Sequence, residues 1–424
     1  MPDYKRKKVK RSSSDKRERH RLDNEIIMNS KKMTKNKGIV PEDDIKVIRG
    51  AKYKRSVKNK FIFSFIAIIA IIYLVLHLIL PVSVYENFLN LTSVMGHGKY
   101  PINLSGSSVI DCVSNGQYYY VLTDTSICAY SNNGKIILND MHGFSNPIIS
   151  ISDTRAIVYD QGGKAICVYN LSGRLHKLET KQEIITASIS RNGALAVSTH
   201  SDSYASVVNV YDKNFKQIFT WNSAKDIVNN VLVNPSGNKL ALSCFSASDG
   251  QYTSKMLILN FESADPLHTI DLGNSIALSL TNTGNGVSII TADSYKFVHW
   301  TKFTTNDINL SGQINIVRKD DKGLLLVFNR ANDRSDNTVV LVSNKGVKTG
   351  EFTVNDLITD IQYSKGRVYY ITDTFINILD GDGNVLRSGI CEYGAKKFAV
   401  ISSNSTAVVT DTEIVKTTIE KGEN

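Results

Sequence analysis

From Val109 to its end, the chain repeats one pattern of apolar segments and polar turns. Each unit has a short first segment, a polar turn, a second segment such as YYYVLT, AIVYD or LAVST, and a third such as SICAY, AICVYN or SVVNVYD. In seven of the eight units another turn leads to a fourth apolar segment. The first strands are predicted to begin near residues 109, 148, 185, 229, 276, 314, 358 and 396.

A period of about 40 residues with four strands per unit is typical of a β-propeller blade. One four-stranded sheet has two apolar faces and cannot bury both alone, whereas a ring of sheets covers each face with the next sheet. We therefore predict an all-β fold, an eight-bladed β-propeller with four-stranded antiparallel blades. Seven blades, with a degenerate last unit, are the alternative.

The last unit supplies three strands before the chain ends. Its fourth strand is predicted to come from Lys99–Gly106, just before the first blade. A strand borrowed from the other end of the domain would close the ring and remove its free edges.

The chain before the repeats is of a different kind. Residues 1–60 contain 21 Lys or Arg against 8 Asp or Glu, whereas the rest contains 29 against 32, so the basic charge belongs to the tail. The next twenty residues, 61–80, carry no formal charge, and fifteen of them are Ile, Leu, Val or Phe. As a helix they would extend about 30 Å, the thickness of the hydrocarbon core of a bilayer. We predict one transmembrane helix here.

The charges beside this segment predict its orientation. The run KYKRSVKNK precedes it, and no comparable run follows, so the positive-inside rule places the tail in the cytoplasm and the repeats outside. A cleaved signal peptide is the competing interpretation, but the charged region is long and PVSVYENF lacks a small-x-small cleavage site. We predict a single-pass, signal-anchored protein of the cell membrane. Its parts are a disordered basic tail (1–60), a transmembrane helix (61–80), a linker (81–98) and a propeller (99–421).

Two units, VLTDTSICAYSNNGKII and YITDTFINILDGDGNVL, resemble blades of the pyrroloquinoline-quinone-like and WD40-like propeller superfamily. The resemblance covers residues 99–421 and implies a fold rather than an activity. The complete layout of basic tail, single span and external propeller resembles a family of envelope proteins of Gram-positive bacteria that is known as a domain of unknown function. That resemblance implies no activity either.

We find no catalytic motif, whether of a serine hydrolase, a zinc peptidase or a P-loop nucleotidase. The segment DGDGN begins like a calcium loop but lacks Gly at the sixth position and Glu at the twelfth, so a turn between third and fourth strands is preferred. The five cysteines form no C-x-x-C pair, and we expect free thiols in the core, with Cys128 and Cys167 at equivalent positions. We predict no cofactor and no metal.

The tripeptide Thr-Asp-Thr occurs at residues 123–125, 372–374 and 410–412, each time between a second and a third strand. In such a tight hairpin we expect the Asp side chain to accept hydrogen bonds from the following backbone amides. The functional alternative is a small acidic cluster on one face of the propeller, because the three blades concerned are neighbours.

Three connections between second and third strands are longer than the rest: THSDSYAS (199–206), FSASDGQYTSK (245–255) and NRANDRSDNT (329–338). All such connections open on the same face of a propeller, and insertions gathered on one face of a repeat array often mark its binding surface. The alternative is that these insertions are solvated loops whose sequences are free to drift. The predicted ligand or partner site comprises Asp202, Tyr204, Asp249, Tyr252, Arg330, Asp333 and Arg334.

These features predict a non-catalytic, membrane-anchored scaffold at the cell envelope that binds a ligand or protein. The alternative is a propeller enzyme acting on glycans or other envelope polymers. We expect the outer face to bind a protein or glycan, and the tail to bind anionic lipid or a cytoplasmic partner. Nucleic acid is not expected, since the tail has two aromatic residues, Tyr4 and Tyr53, and no folded module.

Overall fold

The computed structural model describes residues 60–74, 86, 90, 92–104, 106–248, 250–310, 312–329 and 335–420. They belong to two compact units, Met1–Leu78 and Ile79–Asn424. In the first unit, residues 60–74 form a helix. No helix in the described part of the chain is both long and apolar enough to cross a membrane. The predicted basic tail up to residue 59 and residues 75–80 of the predicted span lie outside the described residues.

The second unit consists almost entirely of strands. The strands of its first half are β1 (Ile102–Asn103), β2 (Val109–Ser114), β3 (Tyr118–Thr123), β4 (Ser126–Ser131), β5 (Ile136–Met141), β6 (Pro147–Ile151), β7 (Ala156–Asp160), β8 (Ala165–Asn170), β9 (Gly173–Glu179), β10 (Ile184–Ile189), β11 (Leu195–Thr199), β12 (Ser206–Tyr211), β13 (Gln217–Ser223), β14 (Ile227–Val233), β15 (Lys239–Ser248), β16 (Gln251–Asn260) and β17 (His268–Gly273).

The strands of its second half are β18 (Ser279–Thr283), β19 (Gly286–Ile290), β20 (Ser294–His299), β21 (Thr305–Asn309), β22 (Gln313–Lys319), β23 (Gly323–Asn329), β24 (Asn337–Ser343), β25 (Lys348–Val354), β26 (Asp360–Ser364), β27 (Arg367–Ile371), β28 (Phe375–Leu379), β29 (Val385–Ile390), β30 (Lys397–Ser402), β31 (Ser405–Val409) and β32 (Glu413–Thr418).

Within the described residues these strands form eight four-stranded antiparallel sheets. Seven sheets contain four consecutive strands and begin at β2, β6, β10, β14, β18, β22 and β26; they are blades 1 to 7. Blade 8 has the order β1-β32-β31-β30. The prediction of eight blades rather than seven is confirmed, and every first strand begins within three residues of its predicted start.

Strand β1 closes the ring as predicted. Ile102 lies opposite Ile414 and Asn103 opposite Glu413, and the amide of Leu104 donates a hydrogen bond of 2.7 Å to the carbonyl of Thr412. The side chains of Ile102 and Leu104 are buried in the apolar cluster between blades 8 and 1. The short strand thus links the beginning of the domain to its end through both backbone and side chains.

The core is divided among the interfaces between blades. The described residues form eight apolar clusters, and each cluster combines side chains of two consecutive blades, including the pair formed by blades 8 and 1. Second strands are buried on both faces, as in β3, whereas outer strands such as β13 are largely exposed on one face. A ring in which every sheet covers the next accounts for this pattern.

All five cysteines are free and buried. Cys128 and Cys167 are each the third residue of a third strand, β4 and β8, so their predicted equivalence is confirmed. Burial raises the pKa of each thiol; Cys244 reaches about 12 and Cys391 about 11. These cysteines are packing residues, because a protonated buried thiol is a poor nucleophile and a poor metal ligand.

The strand order defines two faces of the ring. Connections between second and third strands, and between successive blades, open on one face, which is called the hairpin face. Connections between first and second strands, and between third and fourth strands, open on the opposite face, which is called the linker face. The hairpin face is named after the connections between second and third strands. The linker face is named after the linker that precedes β1 and packs there.

The segment before β1 packs on the linker face. Glu86 bonds Thr154 and Arg155 in the β6–β7 turn, and the Lys135 ammonium, in the β4–β5 turn, donates to the carbonyls of Ser93 and Met95 at 2.9 and 2.7 Å. Both turns belong to the linker face. The chain therefore enters the propeller from this side, opposite the three predicted insertions.

Candidate functional site

The structure describes three of the seven predicted site residues. Asp202, Tyr204 and Tyr252 lie on the hairpin face, in neighbouring blades 3 and 4, and all three are exposed. The other four lie outside the described residues: Asp249, Arg330, Asp333 and Arg334. The structure thus brings part of the predicted set to one face, and the role of these residues stays a prediction.

The insertion of blade 4 is a ribbon of two strands, and the expectation of a loop is wrong here. The β15–β16 ladder continues without a break to the pair Ser248 and Gln251. The neighbouring strands stop earlier: the last pairs are Ile227 with Phe245 on one side and Ser254 with Gly273 on the other. Residues 246–248 and 251–253 therefore project beyond the sheet as a pair of strands with both edges uncovered.

The polar sequence of this ribbon explains why the sequence predicts a loop here. A strand exposed on both faces needs no apolar alternation, and that alternation is the main signal for strands. The Asp-Gly pair at residues 249–250 was the available signal, because this dipeptide favours two-residue hairpin turns. The last pair of the ladder, Ser248 with Gln251, lies directly on either side of this dipeptide in the sequence.

The insertion of blade 3 is a short loop, residues 200–205, held by its own side chains. The hydroxyl of Ser201 accepts hydrogen bonds from the amides of Ser203 and Tyr204, at 3.2 and 3.3 Å. The side chain of Asp202 accepts one from Gln182. Tyr204 is 44% exposed, so its ring remains free to contact a partner.

A polar cavity of about 260 Å³ lies at the base of the ribbon, on the hairpin face. It is lined by Asp226, Ser246, Thr253, Ser254, Lys255, Thr269 and Asp271. Asp226 comes from the connection between blades 3 and 4, while the other residues belong to blade 4. Sequence reasoning found none of these seven as site residues, because the cavity exists only where the ribbon meets the preceding blade.

Two carboxylates and one ammonium group line the cavity. Lys255 forms an ion pair of 2.8 Å with Asp226 and lies directly opposite Asp271 in the β16–β17 ladder. The hydrogen bond to Asp226 raises the pKa of Lys255. The cavity offers hydroxyl, carboxylate and ammonium groups beside the exposed Tyr252, whose ring meets Phe245 edge-on at 6.4 Å. Such a site suits a polar ligand with many hydrogen-bonding groups.

The Thr-Asp-Thr turns are held by threonine, so the expected role of the aspartate is wrong. The hydroxyl of Thr123 accepts a hydrogen bond of 2.9 Å from the amide of Ser126. In the same way the hydroxyl of Thr372 accepts one of 3.0 Å from the amide of Phe375, and that of Thr410 accepts one of 3.0 Å from the amide of Glu413. The amides donate to the threonine hydroxyls and not to the Asp side chains that follow these threonines. Asp411 instead pairs with Lys396 and accepts the amide of Val109 in blade 1.

No acidic cluster that could hold a metal occurs among the described residues, where no three His, Cys, Asp or Glu side chains converge. The DGDGN segment forms the β28–β29 turn, as preferred from the sequence. The carboxylate of Asp380 accepts the backbone amides of Asp382 and Asn384, both at 2.9 Å, and the side-chain amide of Asn384. These bonds lower the pKa of Asp380 and occupy the oxygens that a cation would need.

Comparison with solved structures shows a propeller fold. The computationally designed Ika8 protein has a TM-score of 0.55 at 14% identity, over 76% of this chain and 100% of that one. The C-terminal WD40 domain of Sif2 has a TM-score of 0.53 at 11% identity, over 78% and 100%. BamB from Moraxella catarrhalis has a TM-score of 0.49 at 12% identity, over 75% and 98%. At these identities the likeness concerns the fold alone.

No curated protein matches the chain significantly. A family model does match, over residues 97–419, which include all eight blades and the closing strand β1. The chain belongs to that family, which is described as a family of unknown function, DUF5711.

Proposed function

We propose that this protein is a membrane-anchored, extracytoplasmic propeller that acts as a non-catalytic binding scaffold at the cell envelope. The observation that carries the proposal is that the N-terminal segment and the candidate binding site lie on opposite faces of the ring. The N-terminal segment is fixed to the linker face through Glu86, and the ribbon, the loop of blade 3 and the polar cavity all lie on the hairpin face. A scaffold tethered on one side presents its opposite side to partners.

Membrane anchoring is supported by the apolar run at residues 61–80 and the basic residues before it. The large apolar side chains at residues 61–74 are each at least half exposed, as expected of a segment that needs an apolar surrounding. The basic tail then lies in the cytoplasm, where it binds anionic lipid or a cytoplasmic partner.

Binding rather than catalysis is supported by the chemistry of the cavity. Glycoside hydrolysis typically uses one carboxylic acid whose pKa is raised and a second carboxylate that stays ionised. Asp226 and Asp271 both line the cavity, but Asp226 is engaged in an ion pair with Lys255, which lies opposite Asp271 in the β16–β17 ladder. Asp320 does have a pKa raised by burial, yet it caps a turn on the linker face by accepting the amides of Gly323 and Gly366.

A glycan-directed enzyme is the second candidate, and the two carboxylates in one polar cavity are the observation that favours it. Purified protein and its Asp226→Asn and Asp271→Asn variants would be incubated with isolated cell wall, and the release of reducing sugar ends measured. The scaffold predicts no release by any of the three. Release that both substitutions abolish would establish the enzyme instead.

Site-specific photo-crosslinking in intact cells tests the scaffold. A photoreactive amino acid replaces Tyr204 or Tyr252 on the hairpin face, or Val385, which is 61% exposed at the linker-face end of β29, as the matched control. We expect discrete crosslinked adducts from Tyr204 and Tyr252 and none from Val385. Equal adducts from both faces, or none from the hairpin face, would contradict the proposal. Cleavage of the propeller by protease added to cells stripped of their wall checks its extracytoplasmic location.

A further inference from the structure

A second surface on the hairpin face contains large apolar side chains that are more than half exposed to solvent. Phe375 is 52% exposed, Ile390 80% and Tyr393 93%. These three residues, called the blade-7 patch, belong to the hairpin-face end of blade 7 and lie outside the predicted site. Leu357, in the connection that enters the same blade, is 58% exposed. Apolar side chains grouped in this way are typical of interaction sites.

The strand register places the patch on one side of the sheet. Phe375 begins β28 and Ile390 ends β29, and the two lie directly opposite each other in the ladder. Opposite residues of an antiparallel pair project to the same side, with Cβ atoms about 5 Å apart. Tyr393 follows in the turn closed by the hydrogen bond from the amide of Ala395 to the carbonyl of Glu392. The backbone of this turn is fixed, so the exposure of Tyr393 is part of the fold.

Carboxylates surround these apolar side chains. Asp356, Asp373 and Glu392 are exposed on the same face, and none of the three takes part in an ion pair with another described residue. The carboxylate of Asp356 accepts a hydrogen bond of 2.6 Å from the hydroxyl of Tyr370, and that of Asp373 accepts one of 3.4 Å from the hydroxyl of Thr359. Of the basic groups in these and the adjoining strands, Lys396 pairs with Asp411, Arg318 pairs with the buried Asp360, and Arg387 donates to the carbonyl of Ile419. The patch is therefore apolar at its centre and negative around it.

We propose that the blade-7 patch binds a basic amphipathic peptide segment of a partner protein, one that combines Lys or Arg with large apolar side chains. The apolar side chains of such a segment would cover Ile390, Phe375 and Tyr393 and remove their surface from water. Its cations would face Asp373 and Glu392, which gives specificity and a fast, salt-dependent association. The inference rests on the proposed function, since it assigns a partner class to the same hairpin face.

Fluorescence anisotropy with designed peptides tests the charge and the apolar requirement separately. The probes are labelled peptides of about 12 residues: one alternates Lys with Phe and Leu, a second has Glu in place of every Lys, and a third has Ser in place of every Phe and Leu. The purified full-length chain should bind the first and neither of the others. Binding of the Glu peptide as tight as that of the Lys peptide, or no binding of the Lys peptide, would overturn the proposal.

Variants then locate the binding site. The double variant Ile390→Ser with Tyr393→Ser should weaken binding of the Lys peptide about tenfold or more, because two large side chains lose their contacts. The variant Asp373→Asn with Glu392→Gln should weaken it and reduce its dependence on salt. Val385→Ser, at the other end of the same strand β29, is the matched control and should change nothing. A loss as large in the control, or none in either double variant, would overturn the proposal.

Two further measurements separate this inference from the proposed function. A photoreactive residue at Tyr393 should give an adduct with a protein in cells; adducts from Tyr252 without one from Tyr393 would reject the patch and leave the scaffold standing. Absence of adducts at Tyr204, Tyr252 and Tyr393 rejects the scaffold itself. Binding of a neutral chitin oligosaccharide that is lost in Tyr393→Ser, with no binding of the Lys peptide, would replace the peptide by a glycan and overturn the proposal.

Discussion

The carboxylate of Glu86 accepts hydrogen bonds from Thr154 at 2.7 Å and from two nitrogens of Arg155 at 2.8 and 3.0 Å, and both charged side chains are more than nine-tenths buried. The remaining nitrogen of Arg155 donates to the carbonyl of Lys213 at 2.9 Å, and its guanidinium lies over the ring of Phe215. This one ion pair joins the N-terminal segment to the turns of blades 2 and 3. A buried pair of this kind is costly to break, because the remaining charge stays in a poorly solvated place.

We expect Glu86→Gln to lower the free energy of unfolding by about 3 kcal/mol, since it leaves the Arg155 guanidinium buried without its counter-charge. Urea unfolding followed by circular dichroism measures the loss. Glu179→Gln is the control: Glu179 pairs with Lys177 at 2.9 Å on the exposed face of β9, where such pairs contribute little. Equal midpoints for both variants would contradict a stabilising role for Glu86.

The sequence predicted local roles of residues better than distant ones. Thr-Asp-Thr was placed correctly in the hairpins between second and third strands, but both side chains can cap such a turn. Which one does so depends on the register of the turn, and in the structure it is the threonine. The role of Glu86 could not be predicted at all, because its partner Arg155 is 69 residues away in the chain.

At the scale of single elements, β1 contributes most to the closure of the ring for its length, since its two residues complete the last of eight sheets. Without β1, the edge of β32 would present unpaired backbone groups to solvent and to other chains. Ile102, which is 7% exposed, also fills the cluster between blades 8 and 1.

We expect Ile102→Asp to open the ring between blades 8 and 1, with a loss of about 3 kcal/mol or more, because it removes buried apolar surface and buries a charge. Thermal unfolding and light scattering measure the lower midpoint and the association through the freed edge. Asn103→Asp is the matched control, since the neighbouring side chain of the same strand is exposed. A variant Ile102→Asp that remains as stable and as monomeric as this control would show that β1 is dispensable.

Elements that bury an apolar face could be predicted, and the ribbon of blade 4 could not. First strands were located within three residues because each contributes apolar side chains to a cluster between blades. The described side chains of residues 246–253 contribute to no such cluster, so their strands leave no apolar pattern in the sequence. The cavity beside these strands could not be predicted either. It depends on the contact between Asp226, in the connection from blade 3, and Lys255 in blade 4, which no local pattern in the sequence indicates.

At the scale of the whole molecule, stability is distributed over eight similar interfaces. The period of the repeat was sufficient to predict this arrangement, because a sheet with two apolar faces is stable only between two others. The period of the repeat says nothing about the functions that we propose for the two faces. Those proposals rest on where the N-terminal segment packs and on the side chains that the ring leaves exposed, such as Tyr393.

The same distribution predicts how the molecule responds to alkali. Burial raises the pKa of tyrosines throughout the ring, to about 12 for Tyr295 and Tyr363 and further above the usual range for Tyr119, and it raises the pKa of the Cys244 thiol to about 12. Since these folded-state values exceed the unfolded ones, the unfolded chain loses protons first as the pH rises. The contribution of these tyrosines and thiols to the free energy of unfolding should be constant below about pH 8.5 and decrease from there as the pH approaches the folded-state values.

We therefore expect the propeller to unfold in one cooperative transition between about pH 10 and pH 12, since the buried tyrosines that ionise above the usual value of about 10 belong to several blades. Tyrosinate absorbance and circular dichroism are measured on one pH series. The main rise in absorbance should coincide with the loss of sheet signal, because ionised tyrosine cannot remain in the clusters between blades. Complete tyrosine ionisation with the sheet signal intact would mean that these hydroxyls reach water in the folded ring, and that the interfaces between blades are looser than the packing described here.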